Sequence, residues 1–150
     1  MLRSAGRGQR GRGTVVTTAE AAKRNNLKPM GRIVEWSYCG VPPEVMGIGP
    51  APAIREVLKK SNLALEKIDL FEINEAFSAQ YLAVEKELGL DRKKVNVNGG
   101  AIALGHPLGA TGAMLVGTLL DELERRKLKR GLVTLCVGGG MGIATIVERV

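Results

Sequence analysis

Cysteine and histidine are both scarce in this chain of 150 residues, which holds two cysteines, Cys39 and Cys136, and a single histidine, His106. Two cysteines in a chain of this size do not make a disulfide framework. They fit a reducing compartment, where each thiol is judged by its surroundings. One imidazole and two distant thiols cannot assemble a zinc site, so no metal is expected. Internal repeats are absent. So is a clean hydrophobic run: the longest uncharged stretch apart from His106, Val95 to Leu120, is broken by Asn96, Asn98, Pro107, two threonines and several glycines. Such a stretch would span a bilayer poorly, and a soluble chain with no membrane partner is the expectation.

What is present is ordinary in bulk. Basic residues number 22 against 15 acidic ones, giving +7, and apolar residues at 45% with charged ones at 25% exclude global disorder. The length suits one domain or half of a larger one, with a core of real size. The 20 glycines stand out, at nearly twice the usual share. Glycine serves where backbone approaches closely or takes positive φ, so function is sought among them.

Met1 to Arg12 stand apart. Arg3, Arg7, Arg10 and Arg12, with no acid, place +4 of the net charge in this stretch and leave +3 for the rest. It reads as a disordered basic tail. An Arg-rich, acid-free start is similar to an organelle transit peptide, although its glycines disfavour an amphipathic helix. The Arg-Gly alternation equally resembles disordered RNA-binding segments, and an unstructured tail without a role is the plain alternative.

From Thr14 the pattern is regular. Thr17-Thr18-Ala19-Glu20 has the spacing of a capping box opening a short helix that fades at Asn25-Asn26. Gly31 to Trp36 reads as a strand. Pro42, Pro43, Gly47, Gly49, Pro50 and Pro52 make a rigid loop leading into a helix with Ile54, Val57 and Leu58 on one face. Ile68 to Ile73 alternates apolar and acidic residues, as a half-buried strand does. Phe77, Tyr81, Val84 and Leu88 recur at helical spacing until Gly89. Val95 to Val97 reads as a short strand feeding the Gly99-Gly100 turn, and Pro107 is placed as the first residue of a helix. Leu115, Val116, Leu119, Leu120 and Leu123 give that helix a wide apolar stripe, so it is expected to be covered on more than one side. Arg125 to Arg130 complement the helix's own dipole, with a nucleic-acid role a distant second. Leu132 to Val137 and Ile143 to Val147 are two strands joined at the glycines between them. This is an α/β layered domain with a mixed sheet.

Three segments could carry chemistry. Asn74-Glu75-Ala76-Phe77 lies where a strand ends and a helix begins, a place where ligands collect in α/β sheets. On position alone, Asn74 is more simply a helix cap. Gly99 to Gly109 contains His106 among small residues. A lone histidine is usually structural, but glycines strip away the side chains that would cover it, and at a helix N-terminus a neutral imidazole serves as a base or as a donor to an oxyanion. Cys136 stands at a strand end before Gly138-Gly139-Gly140, where a thiol could move protons beside bare backbone N–H groups. Its plain alternative is a small buried hydrophobe beside a hairpin.

Taken in order, "NEAF", "GGAIALGHPLG" and "CVGGGMGIA" resemble the three signature blocks of the C-terminal half of the thiolases, enzymes that make or cleave 3-ketoacyl-CoA. The flanking Met46 to Pro50, Gln80 to Glu85 and Asn96 to Asn98 are most similar to the mitochondrial fatty-acid-oxidation branch, and the resemblance covers about Gly13 to Val150. It implies a thiolase C-terminal domain over 13–150, with helices layered around a mixed sheet of five-stranded type whose first strand is missing. It implies that Asn74 holds a catalytic water and that His106 with that water stabilises the thioester enolate oxygen and helps activate the nucleophile. Cys136 is then the acid/base at the α-carbon, the N–H of Gly138 contributes to a second oxyanion hole, and Ala76 and Phe77 line the pantetheine channel. The substrates implied are CoA and acyl-CoA, cleaved as 3-ketoacyl-CoA or joined to acetoacetyl-CoA, with no covalently bound cofactor. The address implied is mitochondrial, otherwise cytoplasmic, and the family forms homo-oligomers.

Departures from the family pattern carry their own expectation. The nucleophilic cysteine of thiolases lies in the N-terminal half; Cys136 is already assigned and Cys39 matches no nucleophile block. The isolated chain is therefore expected to be inactive or nearly so, completed by a separate chain that supplies the N-terminal half or by residues missing upstream. Where the family has an Asn-Ala-Ser-Gly-type strand, this sequence has Arg7 to Arg12, as though another reading frame or exon joined near Gly13. Arg is usual where Met114 stands, and Ser is common where Thr111 stands. The missing half would cover the apolar helix after Pro107, which alone would expose a surface that seeks a partner. The rival from another class is a non-catalytic CoA- or RNA-binding fragment.

Overall fold

The computed structural model describes residues 13–150; the expectations for Met1 to Arg12 lie outside the described residues. Four strands, β1 (Gly31–Gly40), β2 (Leu70–Ile73), β3 (Arg130–Val137) and β4 (Met141–Arg149), form one sheet in the order β1-β4-β3-β2. β2 and β3 run parallel, while β4 is antiparallel to both of its neighbours. The sheet is mixed, as its strand–helix alternation closing in a hairpin requires.

Among the described residues five α-helices accompany it: α1 (Ala19–Arg24), α2 (Pro50–Lys60), α3 (Ser78–Leu88), the single turn α4 (Ala101–Leu104) and α5 (Thr111–Arg125). On one face α2 and α3 bury Ile54, Val57 and Val84 against Ile73, Leu132 and Ile146. On the other, Leu119, Leu120 and Leu123 of α5 pack on Leu70, Val133 and Val147. The result is three layers with a core on each side of the sheet. Burying a side chain of this size contributes about 1.5–3 kcal/mol each. Among the described residues no helix is long and apolar enough to cross a membrane.

Local signals explain most boundaries. Pro50 starts α2, where a missing N–H costs nothing, and Gly89 at φ +63° ends α3 in the left-handed cap that its sequence suggested. Ser37 of β1 donates to the carbonyl of Ala53 at 2.6 Å and ties the edge strand to α2.

Several expectations are corrected. The cap of α1 is Thr18, which accepts from the Ala21 N–H, one residue later than the capping-box spacing placed it. Val95 to Val97 do not form a strand; Val95 makes one isolated parallel bridge to Phe71. β2 is not half-buried: all four of its residues are inaccessible, Glu72 included, because α5 covers the face on which the acid lies. Phe77 does not join the apolar stripe of α3; it precedes the helix in extended conformation and is 63% exposed. Pro107 opens a turn, its carbonyl accepting from the N–H groups of Ala110 and Thr111, and α5 begins only at Thr111. Nor does α5 present the bare surface expected of it: Met114, Leu115 and Val116 are half-buried, and the strongly exposed apolar residues are Ile102, Leu104 and Leu108 just before it.

Candidate functional site

The parallel pair β2 and β3 end side by side, Ile73 opposite Thr134, and the chain beyond each carries one of the singled-out residues. The N–H of Asn74 continues the ladder by donating to the Thr134 carbonyl at 3.0 Å, and Cys136 stands two residues past that carbonyl. Asn74 and Cys136 thus sit at the carboxyl ends of adjacent strands, where α/β sheets gather ligands.

Asn74 is not a helix cap. The residue before α3 is Phe77, which provides no side-chain cap, and Asn74 is 1% exposed. Its Nδ2 lies 3.3 Å from Nε2 of His106, and its Oδ1 is buried with no hydrogen-bond partner. An unsatisfied buried oxygen costs about 1–3 kcal/mol, and such a cost is normally offset by a water or a ligand. His106 itself is exposed, with its other nitrogen, Nδ1, 2.7 Å from Oγ1 of Thr111. Because α5 starts five residues beyond it, the imidazole is positioned by Asn74 and Thr111 and not by a place in the helix's first turn.

Three residues to which the sequence reading gave no role help to hold this arrangement. Asn96, in left-handed conformation at φ +46°, turns its amide onto Ile73, accepting from its N–H at 2.8 Å and donating to its carbonyl at 2.9 Å. It acts as one more rung of ladder beside Asn74. The same Nδ2 donates to Glu75 at 2.9 Å, and the second oxygen of Glu75 accepts from the Ile102 N–H at 3.0 Å. Glu75 therefore spans the strand end, the Asn96 turn and the single turn α4 that precedes His106. Gly100 makes this possible, since a Cβ there would overlap the Glu75 carboxylate. The third is Glu122 of α5, which accepts from Asn98 at 3.2 Å and pairs with Arg125 and Arg126. The Arg125 hydrogen bond chiefly holds its carboxyl down, at about 2. Asn96 and Asn98, both just ahead of a Gly-Gly turn, were the visible signal for this frame.

Cys136 is half-buried, and burial pushes its thiol above the ordinary value, partly opposed by its own backbone hydrogen bond. A thiol so placed rests protonated at neutral pH and is ready to donate. Gly142 pairs with Cys136 on one side and with Cys39 on the other, and both cysteines are free. A Cβ on Gly142 would collide with the Gly49 carbonyl at the start of α2, so the residue facing both cysteines has no side chain. Gly138 lies exposed in the β3–β4 turn with nothing within 4 Å of where a Cβ would stand. Ala76 is half-buried beside the exposed Phe77. Asn74 and His106 are thus in direct contact and Cys136 lies at the adjoining strand end, with Ala76 and Phe77 following Asn74 in the chain and Gly138 following Cys136. Among the described residues no group of three or more His, Cys, Asp or Glu is gathered as metal ligands would be.

The family model described as thiolase, C-terminal domain, matches residues 27–149. The cytosolic acetyl-CoA acetyltransferase of Mus musculus is 58% identical over 128 residues, 85% of this chain and 32% of that protein. The acetyl-CoA acetyltransferase of Bacillus anthracis superposes with a TM-score of 0.90 at 56% identity, covering 93% of this chain and 36% of the other. Human mitochondrial 3-ketoacyl-CoA thiolase, solved in complex with CoA, gives 0.85 at 52% identity, over 88% and 34%. The chain spans about a third of the length of these relatives.

Proposed function

The chain belongs to the thiolase family as its C-terminal domain, and from that premise we propose that it supplies the proton-transfer and oxyanion half of an acyl-CoA C-acyltransferase. The reaction is cleavage of a 3-ketoacyl-CoA by free CoA or, in reverse, formation of acetoacetyl-CoA. The observation that carries the reading is the Asn74–His106 contact at 3.3 Å, with the Asn74 Oδ1 left unpaired beside the strand end that bears Cys136.

In the cleavage direction, a nucleophilic thiolate adds to the 3-keto carbon and the bond between C2 and C3 breaks. The electron pair passes to the departing acetyl-CoA as a thioester enolate. His106, with a water held by Asn74 Oδ1, stabilises that enolate oxygen, and Cys136 gives its proton to C2. The upward shift of the Cys136 thiol suits a group that must hold this proton until the enolate forms. Condensation runs the same steps backwards. The N–H of Gly138 serves the oxyanion at the acylated carbonyl, and Ala76 and Phe77 border the path of the pantetheine arm. Its exposed position in the β3–β4 turn supports the first role, and the outward-facing Phe77 supports the second.

The nucleophile is not among these 150 residues: Cys136 has its task, and Cys39 lies in register two strands away, packed toward the α2–α3 core. We propose that this polypeptide alone is inactive and that the remaining two-thirds or so of the family's architecture completes it. We place the complete protein in mitochondria on the strength of its likeness to the human mitochondrial enzyme; the mouse cytosolic relative makes the cytosol the alternative, and subcellular fractionation decides.

The test is thiolysis of acetoacetyl-CoA, by the chain alone and by the chain joined behind an N-terminal thiolase half. The first is expected to be silent. The second is expected to turn over, and Cys136→Ala or His106→Ala should each lower the rate by about 10²–10⁴-fold. Turnover by the chain alone would show a nucleophile present where none is assigned, and full activity in Cys136→Ala would remove its acid/base role.

A further inference from the structure

His106 is held at both ring nitrogens, and the partners differ in what they can offer. On one side the Nδ2 of Asn74 is a donor, 3.3 Å from Nε2. On the other, Oγ1 of Thr111 is 2.7 Å from Nδ1 and also 3.0 Å from the Pro107 carbonyl, to which it donates. A hydroxyl has one proton. With that proton given to Pro107, Oγ1 can only accept from the ring, so Nδ1 carries the hydrogen.

We propose that Thr111 is a positioning residue that fixes His106 as its Nδ1–H tautomer. The hydrogen bonds then run in one direction: Asn74 Nδ2–H to Nε2, Nδ1–H to Oγ1, Oγ1–H to the Pro107 carbonyl. Chains of this kind polarise one another and strengthen each member. Thr111 is buried at the first position of α5, so its hydroxyl is held in place by the packing of that helix.

The opposite arrangement uses the same distances with every arrow reversed: the Asn74 amide turned over, Nε2 carrying the hydrogen, Thr111 donating to Nδ1. It would take the Thr111 proton away from the Pro107 carbonyl, 3.0 Å from Oγ1, and leave two acceptors facing each other, which favours the first direction.

The inference rests on the reading of His106 as a reacting group and deepens it by setting an order of events. In the resting site the Nε2 lone pair accepts from the Asn74 amide, and Nε2 takes a proton by giving up that hydrogen bond. Only after taking it can the same nitrogen donate to an oxyanion. His106 is a base first and a donor second.

The experiment is a long-range ¹H–¹⁵N correlation spectrum of the imidazole in untagged, ¹⁵N-labelled protein, in alkaline buffer where an imidazole is neutral. His106 is the only histidine, so one ring gives all the signals. The expected result is a pyrrole-like Nδ1 and a pyridine-like Nε2. Thr111→Val keeps the shape and removes the hydroxyl; it should move the tautomer ratio toward Nε2–H by about fivefold or more, the worth of one net hydrogen bond. Thr111→Ser should restore the parent spectrum. A pyridine-like Nδ1 in the parent protein, or a Thr111→Val spectrum identical to it, overturns the proposal. The parent spectrum alone decides the tautomer even if the valine variant does not fold. No substrate or upstream residue enters the measurement, so a failed activity assay leaves its result standing, and the reverse holds as well.

Discussion

Replacing Glu72 by Gln should flatten the dependence of stability on pH between about 5.5 and 7.5. Glu72 is buried in β2, and burial first, then the neighbouring carboxylates of Glu75 and Glu122, push its carboxyl up to about 8 from an ordinary 4.5. In the folded chain it is a neutral acid at pH 7, whereas in the unfolded chain it is ionised. Between those two values the folded state holds one proton more than the unfolded state, so stability falls as pH rises, by about 1.4 kcal/mol per pH unit from this group. The loss starts above 4.5, reaches on the order of 3 kcal/mol by pH 7, and is complete once pH passes about 8. Glutamine copies the neutral acid and cannot ionise. Glu122, held at about 2 chiefly by Arg125, and Glu148, held down by Arg32 and Arg130 against its own burial, titrate below this window. Their contribution is present above about 4.5 and is lost only as pH falls through their lowered values. The assay is urea unfolding of parent and Glu72→Gln, followed by far-ultraviolet circular dichroism, at pH 5.5 and 7.5. The parent should lose roughly 2–3 kcal/mol more than the variant between the two, other titrations being common to both. Equal losses in the two proteins would mean that Glu72 ionises inside the fold, and the reasoning from burial would fail.

Two further outcomes are expected. Gly142→Ala drives a Cβ into the Gly49 carbonyl, backbone against backbone, and should cost roughly 2–3 kcal/mol or more, read as a lowered urea midpoint at unchanged slope. Alkylation of Cys136 by iodoacetamide, followed by peptide mass spectrometry, should rise with pH along a curve displaced above that of an unstructured cysteine peptide, because burial disfavours its thiolate; a curve displaced below would contradict this.

Elements with short-range patterns were legible from the sequence. The β3–β4 hairpin and the Gly89 stop of α3 follow from residues a few positions apart, and the structure places them where those residues predict, whereas Pro50 and Pro52, read as loop, lie inside the first turn of α2. Positions decided by distant partners were not legible. Asp69 and Glu72 interrupt an apolar run but stand three apart, on opposite faces of a strand; Asp69 accepts from the N–H groups of Lys129 and Arg130, and Glu72 lies under α5. No local pattern distinguishes an acid that faces water from one kept neutral beneath a helix. The site divides in the same way. Its glycines and its lone histidine drew notice to Asn74, His106 and Cys136, but the frame of Glu75, Asn96 and Thr111 depends on contacts across more than one loop. Pro107 misled because it satisfies the rule for a first helical residue while serving a turn that lets Thr111 reach the imidazole.

The pairing of one glycine with two cysteines sets the chain's response to oxidants. Cys39 and Cys136 flank Gly142 on opposite sides of β4, so two strand spacings, about 9–10 Å, separate their Cα atoms. A disulfide tolerates at most about 7 Å, and the start of α2 is wedged against the glycine between them. The two sulfurs cannot cross-link within the folded chain. Within these 150 residues a Cys136 oxidised to the sulfenic acid therefore has no second thiol in reach, and in this chain its recovery falls to a small thiol that diffuses in from solution. Reversibility of oxidative damage at this residue in this chain is set by the surrounding thiol pool.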